Sequence, residues 1–220
     1  MTRLIALLLP VLTSAAASAA GVVVSVTDMK NHPVEQVVVV LESLAADHAG
    51  VTPRGIASGS HAVVDQRNLQ FVPEVSVVRT GTAIEFPNSD NIRHQVYSFS
   101  PAKNFRLALY AGHVYPPLVF DKPGLVTLGC NIHDSMIGFV YVTDSPWFGK
   151  TAQEGRVELP SIPPGEYRVL LWHPRFAPDE ARIERTLSVA ASGDNTLTVA
   201  LKRPMQAAPG NNTSQKWKGY

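Results

Sequence analysis

The sequence predicts an all-β protein built as a β-sandwich. Its apolar residues, which are rich in valine, form short runs that Pro and Gly interrupt. No long apolar stretch shows the 3.6-residue period of an amphipathic helix. The short runs also follow one another at close spacing, which is typical of two packed β-sheets.

The first twenty residues predict a cleaved secretory signal, residues 1–20. A basic residue, Arg3, precedes an apolar stretch from Leu4 to Leu12, and small residues follow up to Ala20. This stretch is too short to anchor the chain in a bilayer, and the sequence shows no second apolar run of spanning length. We therefore expect an exported protein of about 200 residues in the periplasm, with no transmembrane segment.

The charge balance bears on the class of partner. The chain has 19 Lys and Arg residues against 18 Asp and Glu residues. Removal of Arg3 with the signal leaves 18 of each, so the mature chain is close to neutral when its histidines are uncharged. Nucleic-acid binding needs a basic surface. We therefore expect no nucleic-acid partner.

The strands can be placed in order along the chain from their apolar content. Seven short strands are predicted up to residue 142: Val22–Val26, Val34–Leu41, Val75–Val78, Ala83–Phe86, Gln95–Ser98, Leu125–Gly129 and Ile137–Val142. A closing hairpin follows, with strands Ile183–Val189 and Thr196–Leu201. Residues 203–220 contain Pro, Gly and paired Asn without apolar periodicity, and they predict a disordered tail.

Cys130 is the only cysteine of the chain and cannot form an intramolecular disulfide. It begins a CxxHxxM pattern that places a thiolate, the imidazole of His133 and the thioether of Met136 within seven residues. His94 lies 36 positions upstream, just after an alternating apolar run. Two His, one Cys and a weakly bound Met are the ligands of blue-copper sites. A buried cysteine that acts as a small apolar residue is the alternative interpretation.

The spacing requires a turn if these side chains are to converge. In an extended strand, Cys130 and His133 would lie about 10 Å apart and on opposite faces. The residues between and after them favour a turn: Asn131, Asp134, Ser135 and Gly138. We therefore expect a tight loop that joins two adjacent strands of a rigid sandwich.

The segment 62–145 resembles a cupredoxin, the family of blue-copper domains. The residues that carry this resemblance are Phe71-Val72-Pro73, Val75–Val78, Gly81, Ile84–Asn88, His94-Gln95-Val96, Pro123-Gly124 and the CxxHxxM pattern. The short ligand loop is similar to that of amicyanins, whereas plastocyanins have a longer spacing before Met. One position departs from the pattern, because many relatives have Asn directly after the first His, where this chain has Gln95.

The resemblance implies a role for each candidate ligand. Cys130 would supply the thiolate, His94 and His133 the equatorial imidazoles, and Met136 the weak axial ligand of one copper ion that cycles between Cu(I) and Cu(II). Four ligands leave no open position, so we expect an electron carrier that is not an enzyme. Its expected partners are periplasmic redox proteins, such as a dehydrogenase or a cytochrome.

The flanks of this segment resemble a different small sandwich. Residues 21–45 and 150–202 are similar to the strands of carboxypeptidase regulatory-like, or transthyretin-like, domains. A lone N-terminal hairpin would be marginal in water, so these flanks are expected to fold together, with the cupredoxin segment inserted between them. A single continuous sandwich with extra strands is the competing arrangement.

Other functions stay open at this stage. The same soft ligands would suit a copper storage or delivery protein that serves another exported cuproprotein. Two His and one Cys are also ordinary zinc ligands, although Met as a fourth ligand argues against zinc. A Cys–His nucleophilic dyad lacks an obvious third orienting group. A metal-free scaffold module would leave four ligand-type residues in family order without a purpose.

Overall fold

The computed structural model describes residues 20–45 and 60–207 and confirms the predicted all-β architecture. Residues 1–19 of the predicted signal and residues 208–220 of the predicted tail lie outside the described residues. The part of the chain that is described contains no helix long and apolar enough to cross a membrane.

The strands fall in chain order as β1 (Ala20–Thr27), β2 (Val38–Ser43), β3 (His61–Val63), β4 (Asp65–Arg67), β5 (Gln70–Val72), β6 (Val75–Arg79), β7 (Thr82–Glu85), β8 (Tyr97–Ser100), β9 (Lys103–Arg106), β10 (Leu118–Phe120), β11 (Gly124–Gly129), β12 (Ile137–Thr143), β13 (Trp147–Lys150), β14 (Arg156–Ile162), β15 (Gly165–Trp172), β16 (Arg182–Val189) and β17 (Asn195–Ala200). A short 3-10 turn, Pro178–Glu180, precedes β16.

Four sheets account for all but one pair of these strands. Sheet A has the order β14-β1-β17, and sheet B the order β13-β2-β15-β16. Sheet C has the order β6-β12-β11-β8-β9, and sheet D the order β10-β7-β3. The remaining pair, β4 and β5, forms a separate antiparallel ribbon. The first two strands therefore share sheets A and B with the last five, whereas the strands between them build sheets C and D.

Three hydrophobic clusters lie between these sheets. The first cluster draws on the strands of sheets A and B, including Val24, Leu41 and Tyr167. The second draws on sheets C and D, including Ile84 and Val140. The third joins outward-facing residues of sheet B to those of sheet C; its buried members are Val38, Val40, Val75 and Leu170. The four sheets therefore stack as layers in the order A, B, C, D.

The valine run at 37–41 is explained by this stacking. Val39 and Leu41 of β2 belong to the first cluster, whereas Val38 and Val40 belong to the third. A strand that is buried on both faces needs apolar residues at successive positions. The run is therefore continuous because sheet B is an inner layer.

Two predicted strands begin two or more residues before the corresponding strands of the structure. The sequence predicts a strand over Val34–Leu41, but β2 begins at Val38, because Gln36 adopts a φ of 60°, which interrupts the extended backbone. The strand predicted over Gln95–Ser98 is Tyr97–Ser100 in the structure. His94 lies just outside it in an isolated bridge with Tyr110.

The chain returns to the flanking sheets slightly before residue 150, because β13 begins at Trp147 and pairs with β2. The predicted domain boundaries and the transthyretin-like character of the flanks stay predictions. Residues 203–207, which the sequence assigns to the disordered tail, make specific contacts. The Gln206 N–H donates to the Arg175 carbonyl over 2.8 Å, and Met205 packs against the first cluster.

Candidate metal centre

Three of the four predicted ligands converge, and one of them, Cys130, belongs to the second hydrophobic cluster. The donor atoms of His94, Cys130 and His133 all lie within 4.8 Å of one another. His94 Nδ1 is 3.8 Å from Cys130 Sγ, and the two imidazole rings meet edge to face with centroids 5.2 Å apart. Across the residues that the structure describes, this is the one group of three His, Cys, Asp or Glu side chains that close together.

Adjacent strands position Cys130 and His133. The strands β11 and β12 are antiparallel neighbours, and Gly129 at the end of β11 faces Ile137 at the start of β12. The segment between them turns as the sequence predicts, because the Met136 N–H donates to the His133 carbonyl over 2.9 Å. The hairpin thus holds the Cys130 thiol and the His133 imidazole on a loop anchored at both ends.

His94 reaches the Cys130–His133 loop from a different part of the sandwich that sheets C and D form. It pairs with Tyr110 through two backbone hydrogen bonds of 3.0 Å, and its side chain is completely buried. The amide of Asn88 donates to the carbonyls of Ile92 and Tyr110 over 2.9 and 2.8 Å. These bonds hold the backbone of the segment that carries His94 against the segment opposite.

Asp90 determines which ring nitrogen His94 presents to the other ligands. His94 Nε2 lies 2.8 Å from Asp90 Oδ2, and Asp90 also accepts backbone N–H bonds from Asn68 and Leu69 over 2.6 and 3.0 Å. A carboxylate accepts the proton of Nε2, which leaves the lone pair of Nδ1 directed towards Cys130. The sequence shows Asp90 only as part of a turn-like stretch. The one indication of this role in the sequence is that Asp90 stands four residues before His94.

The charge of Asp90 is stabilised in the folded state. Partial burial raises the pKa of its carboxyl group, but hydrogen bonds from the Leu69 N–H and from His94 outweigh that effect, so the pKa lies below its ordinary value. Asp90 is therefore a carboxylate at neutral pH and can keep the orientation of His94.

The surroundings of His133 test whether these residues fit a metal ion. Its Nδ1 atom is buried and has no hydrogen-bond partner among the described residues. A buried polar atom without a partner is costly, and such atoms in native proteins require an explanation. Coordination of a metal ion would satisfy this nitrogen. The thiolate and two imidazoles are also the donors that suit copper.

Met136 lies close in the chain to the other ligands and is 1% exposed. It belongs to the same hydrophobic cluster as Cys130, and both line a cleft of ≈ 370 Å³ beside Tyr97 and Phe99. The structure therefore buries the thioether in the same cluster as the Cys130 side chain. Its role as an axial ligand stays a prediction.

Gln95 does not bridge the two ligand segments in the structure. Its amide donates to the carbonyl of Leu107 over 2.9 Å, which fastens the strand region after His94 to the neighbouring segment. Gln95 therefore holds the chain next to His94 in place, whereas Asp90 holds the imidazole ring itself.

Comparisons with known proteins find similarity only among solved structures. No family model matches the chain, and no curated protein matches it. A Cu-containing nitrite reductase from Thermus scotoductus SA-01 is 21% identical over 46% of this chain, with a TM-score of 0.37. A purple cupredoxin from Nitrosopumilus maritimus is 19% identical over 37% of this chain and 99% of its own, with a TM-score of 0.34.

An amicyanin variant in its reduced Cu(I) form is 18% identical over 47% of this chain and 98% of its own, with a TM-score of 0.35. The similar region spans only 27% of the nitrite reductase chain. Copper proteins, including cupredoxins, are therefore among the structures that this chain is similar to. Because every one of these TM-scores is below 0.5, the case for a copper site rests on the geometry of the ligands.

Proposed function

We propose that this chain is a periplasmic type 1 (blue) copper protein that carries single electrons between redox proteins and has no catalytic turnover of its own. The observation that carries this proposal is the convergence of one buried thiol and two imidazoles within 4.8 Å. The soft donor set suits copper in both oxidation states. A bound copper ion would supply one-electron chemistry.

The protein's own contribution is to hold its ligands in one arrangement. His94 is 0% and Cys130 3% exposed, so bulk water has little access to either ligand. Cys130 and His133 lie on the β11–β12 loop, and His94 is tied to Tyr110 and Asp90. Because these anchors belong to the folded sandwich, we expect the ligands to move little when the charge of the site changes.

The direct test is the visible spectrum of the copper-loaded protein. Cu(II) bound to a cysteine thiolate in such a site absorbs strongly in the visible range, so the loaded chain should be intensely coloured and should bleach reversibly on reduction. Cys130→Ser should abolish the band while circular dichroism shows an unchanged fold. A Cu(II)-loaded chain without this band would contradict the proposal.

Met136 is tested by a substitution that keeps a possible ligand. Met136→Gln should retain a copper site but lower its reduction potential, because an amide oxygen is a harder ligand than a thioether and favours Cu(II). Cyclic voltammetry measures the shift. If both the spectrum and the potential stay unchanged, Met136 is not an axial ligand.

A competition experiment separates electron transfer from copper delivery. The same soft ligands would serve a protein that hands copper to another exported protein, but the burial of His94 and Cys130 favours retention. We therefore expect the reduced protein to keep its Cu(I) through repeated redox cycles in the presence of a Cu(I) chelator. Rapid loss of Cu(I) to the chelator would favour delivery.

A further inference from the structure

On the surface, two imidazoles share one carboxylate in a looser arrangement than the candidate metal centre, with donor atoms that do not all lie within 4.8 Å of one another. His61 Nε2 is 2.8 Å from Glu85 Oε1, and His113 Nε2 is 3.4 Å from Glu85 Oε2. None of the three side chains belongs to the candidate metal centre.

The backbone brings these residues together from three separate places in the chain. The strands β3 and β7 are parallel neighbours, and His61 faces Ala83, two positions before Glu85. Residues 83 and 85 of β7 point outward, because the alternating positions 82 and 84 are buried. His61 and Glu85 therefore meet on the outer face of sheet D.

His113 is delivered by a turn that is itself anchored to the end of β7. Gly112 has a φ of 72°, a left-handed conformation that glycine adopts without strain. Its N–H and carbonyl form hydrogen bonds of 3.1 and 2.9 Å with Asn88, three residues after Glu85. The turn thus places the side chain of the next residue over the carboxylate.

We propose that His61, Glu85 and His113 form a second metal site, for a divalent ion of the Cu(II) or Zn(II) class. Each imidazole points Nε2 at a carboxylate oxygen, and the tautomer that carries its proton on Nδ1 presents the Nε2 lone pair to a divalent cation placed between these three groups. Two imidazoles and one carboxylate are ordinary ligands for Zn(II) and Cu(II), whereas Mg(II) and Ca(II) prefer oxygen ligands alone. The site does not depend on the proposed electron-transfer function.

The exposure of the side chains determines the affinity that we expect of this site for a metal ion. The side chains of His61, His113 and Glu85 are 48%, 51% and 24% exposed, so they can rotate to converge on one ion. The two imidazoles now face different oxygens of the carboxylate, which means that convergence requires such a rotation. We therefore expect micromolar affinity, weaker than that of the buried centre at His94.

A metal ion bound at this site would also hold in place the segment that pairs with His94. The segment that carries His113 also contains Tyr110, whose backbone pairs with that of His94. An ion held by β3, β7 and this segment would join three separate parts of the chain. Added Zn(II) should therefore raise the melting temperature of the protein as well as bind to it.

The test is a titration of the copper-loaded chain with Zn(II) alone. Calorimetry should detect one bound equivalent of Zn(II), and the ring ¹⁵N resonances of His61 and His113 should shift together while the visible copper band keeps its intensity. His61→Gln and His113→Gln should each weaken binding at least about tenfold. If the chain takes up no copper at the first centre, the Cys130→Ser/His133→Gln double variant serves as the background, so failure of the two proposals can be distinguished.

His32→Gln is the matched control, because His32 Nδ1 also lies 3.1 Å from a carboxylate, that of Asp28, but without a second imidazole. This variant should bind Zn(II) as the unmodified chain does. The proposal is overturned if no equivalent of Zn(II) binds, or if His32→Gln weakens binding as much as His61→Gln. It is also overturned if Zn(II) bleaches the copper band without shifting the resonances of His61 and His113.

Discussion

Asp90 is not itself a candidate ligand, but it determines how His94 is presented to the other ligands of the candidate centre. Its carboxylate accepts a hydrogen bond from His94 Nε2 and is itself held by two backbone N–H groups. The carboxylate therefore favours the tautomer with the proton on Nε2 and fixes the orientation of the ring before any metal binds. Carboxylate–histidine–metal arrangements of this kind commonly raise the basicity of the ligand.

We expect Asp90→Asn to weaken copper binding by about 10–100-fold, the usual cost of losing such a partner. The loss of a negative charge should also raise the reduction potential, because it no longer favours Cu(II). Competition with a chelator measures the affinity, and voltammetry the potential. Asp134→Asn is the control, since this exposed carboxylate in the ligand loop carries the same charge. An equal loss of affinity in both variants would show a general charge effect instead.

His173 is a buried histidine in the flanking sheets with a structural role. It is 8% exposed, and its Nδ1 accepts the backbone N–H of Arg175 over 3.1 Å. Burial, assisted by the positive charge of Arg175, lowers the pKa of His173 to about 4. The folded protein therefore keeps this imidazole neutral, whereas the unfolded chain protonates it near the ordinary value of 6.5.

This difference predicts a dependence of stability on pH. Because the pKa is lower in the folded state, the stabilisation is fully present above about pH 6.5 and is lost as the pH falls towards 4. The loss is on the order of 3 kcal/mol in the free energy of unfolding. Urea unfolding of His173→Asn should show a smaller loss than the unmodified chain between pH 7 and 4. Identical pH profiles would contradict the prediction.

At the scale of elements, Thr151 connects the end of β13 to the entry of β2. Its buried hydroxyl donates to the Val34 carbonyl over 2.7 Å and accepts the Val37 N–H over 2.9 Å. Its backbone N–H donates to the Val37 carbonyl, also over 2.9 Å. These bonds satisfy the irregular segment around Gln36, where the extended backbone is interrupted. Strand β2 therefore begins directly after the segment that Thr151 holds in place.

Thr151→Val should lower the free energy of unfolding by at least about 2 kcal/mol, since it leaves a buried N–H and a buried carbonyl without their partner. Valine has nearly the same shape as threonine, so the effect reports the hydroxyl rather than the packing. Thr151→Ser keeps the hydroxyl and should cost less. Chemical denaturation of the two variants measures the difference, and equal stabilities would show that the hydroxyl contributes nothing.

At the scale of the whole molecule, the four sheets form one stack with three apolar interiors. The cluster between sheets B and C contains Leu170, which is 3% exposed, and its neighbours include Val40 and Val75. Trp172 of sheet B also contacts Phe139 of sheet C, with ring centroids 5.6 Å apart. The sheets that hold the candidate ligands therefore share a hydrophobic interior with the flanking sheets.

Leu170→Ala tests whether the stack unfolds as a unit. Removal of a buried leucine side chain should cost about 2–5 kcal/mol. Because the cluster joins the two halves, heating should bleach the visible band of the copper-loaded variant at the same lowered temperature at which tryptophan fluorescence changes. If the fluorescence transition shifts while the copper band keeps its original midpoint, the two halves unfold independently.

The part of the candidate centre that lies on the β11–β12 loop could be predicted from sequence, because its chemistry is local. Cys130, His133 and Met136 lie within seven residues, and the turn-forming residues between them make a strand implausible. The structure brings the first two together with His94. The His61–Glu85–His113 cluster could not be predicted in this way. Its members come from three distant segments, and only strand pairing and the Gly112 turn bring them together.

The amino-acid sequence by itself determined the all-β class and the soft character of the candidate ligands, because both follow from residue type and short-range spacing. The tertiary structure decided which nitrogen His94 presents, which carboxylate orients it, and why the run at 37–41 is apolar at every position. These features depend on contacts between segments far apart in the chain. Such contacts exist only once the layers have packed, so no local pattern encodes them.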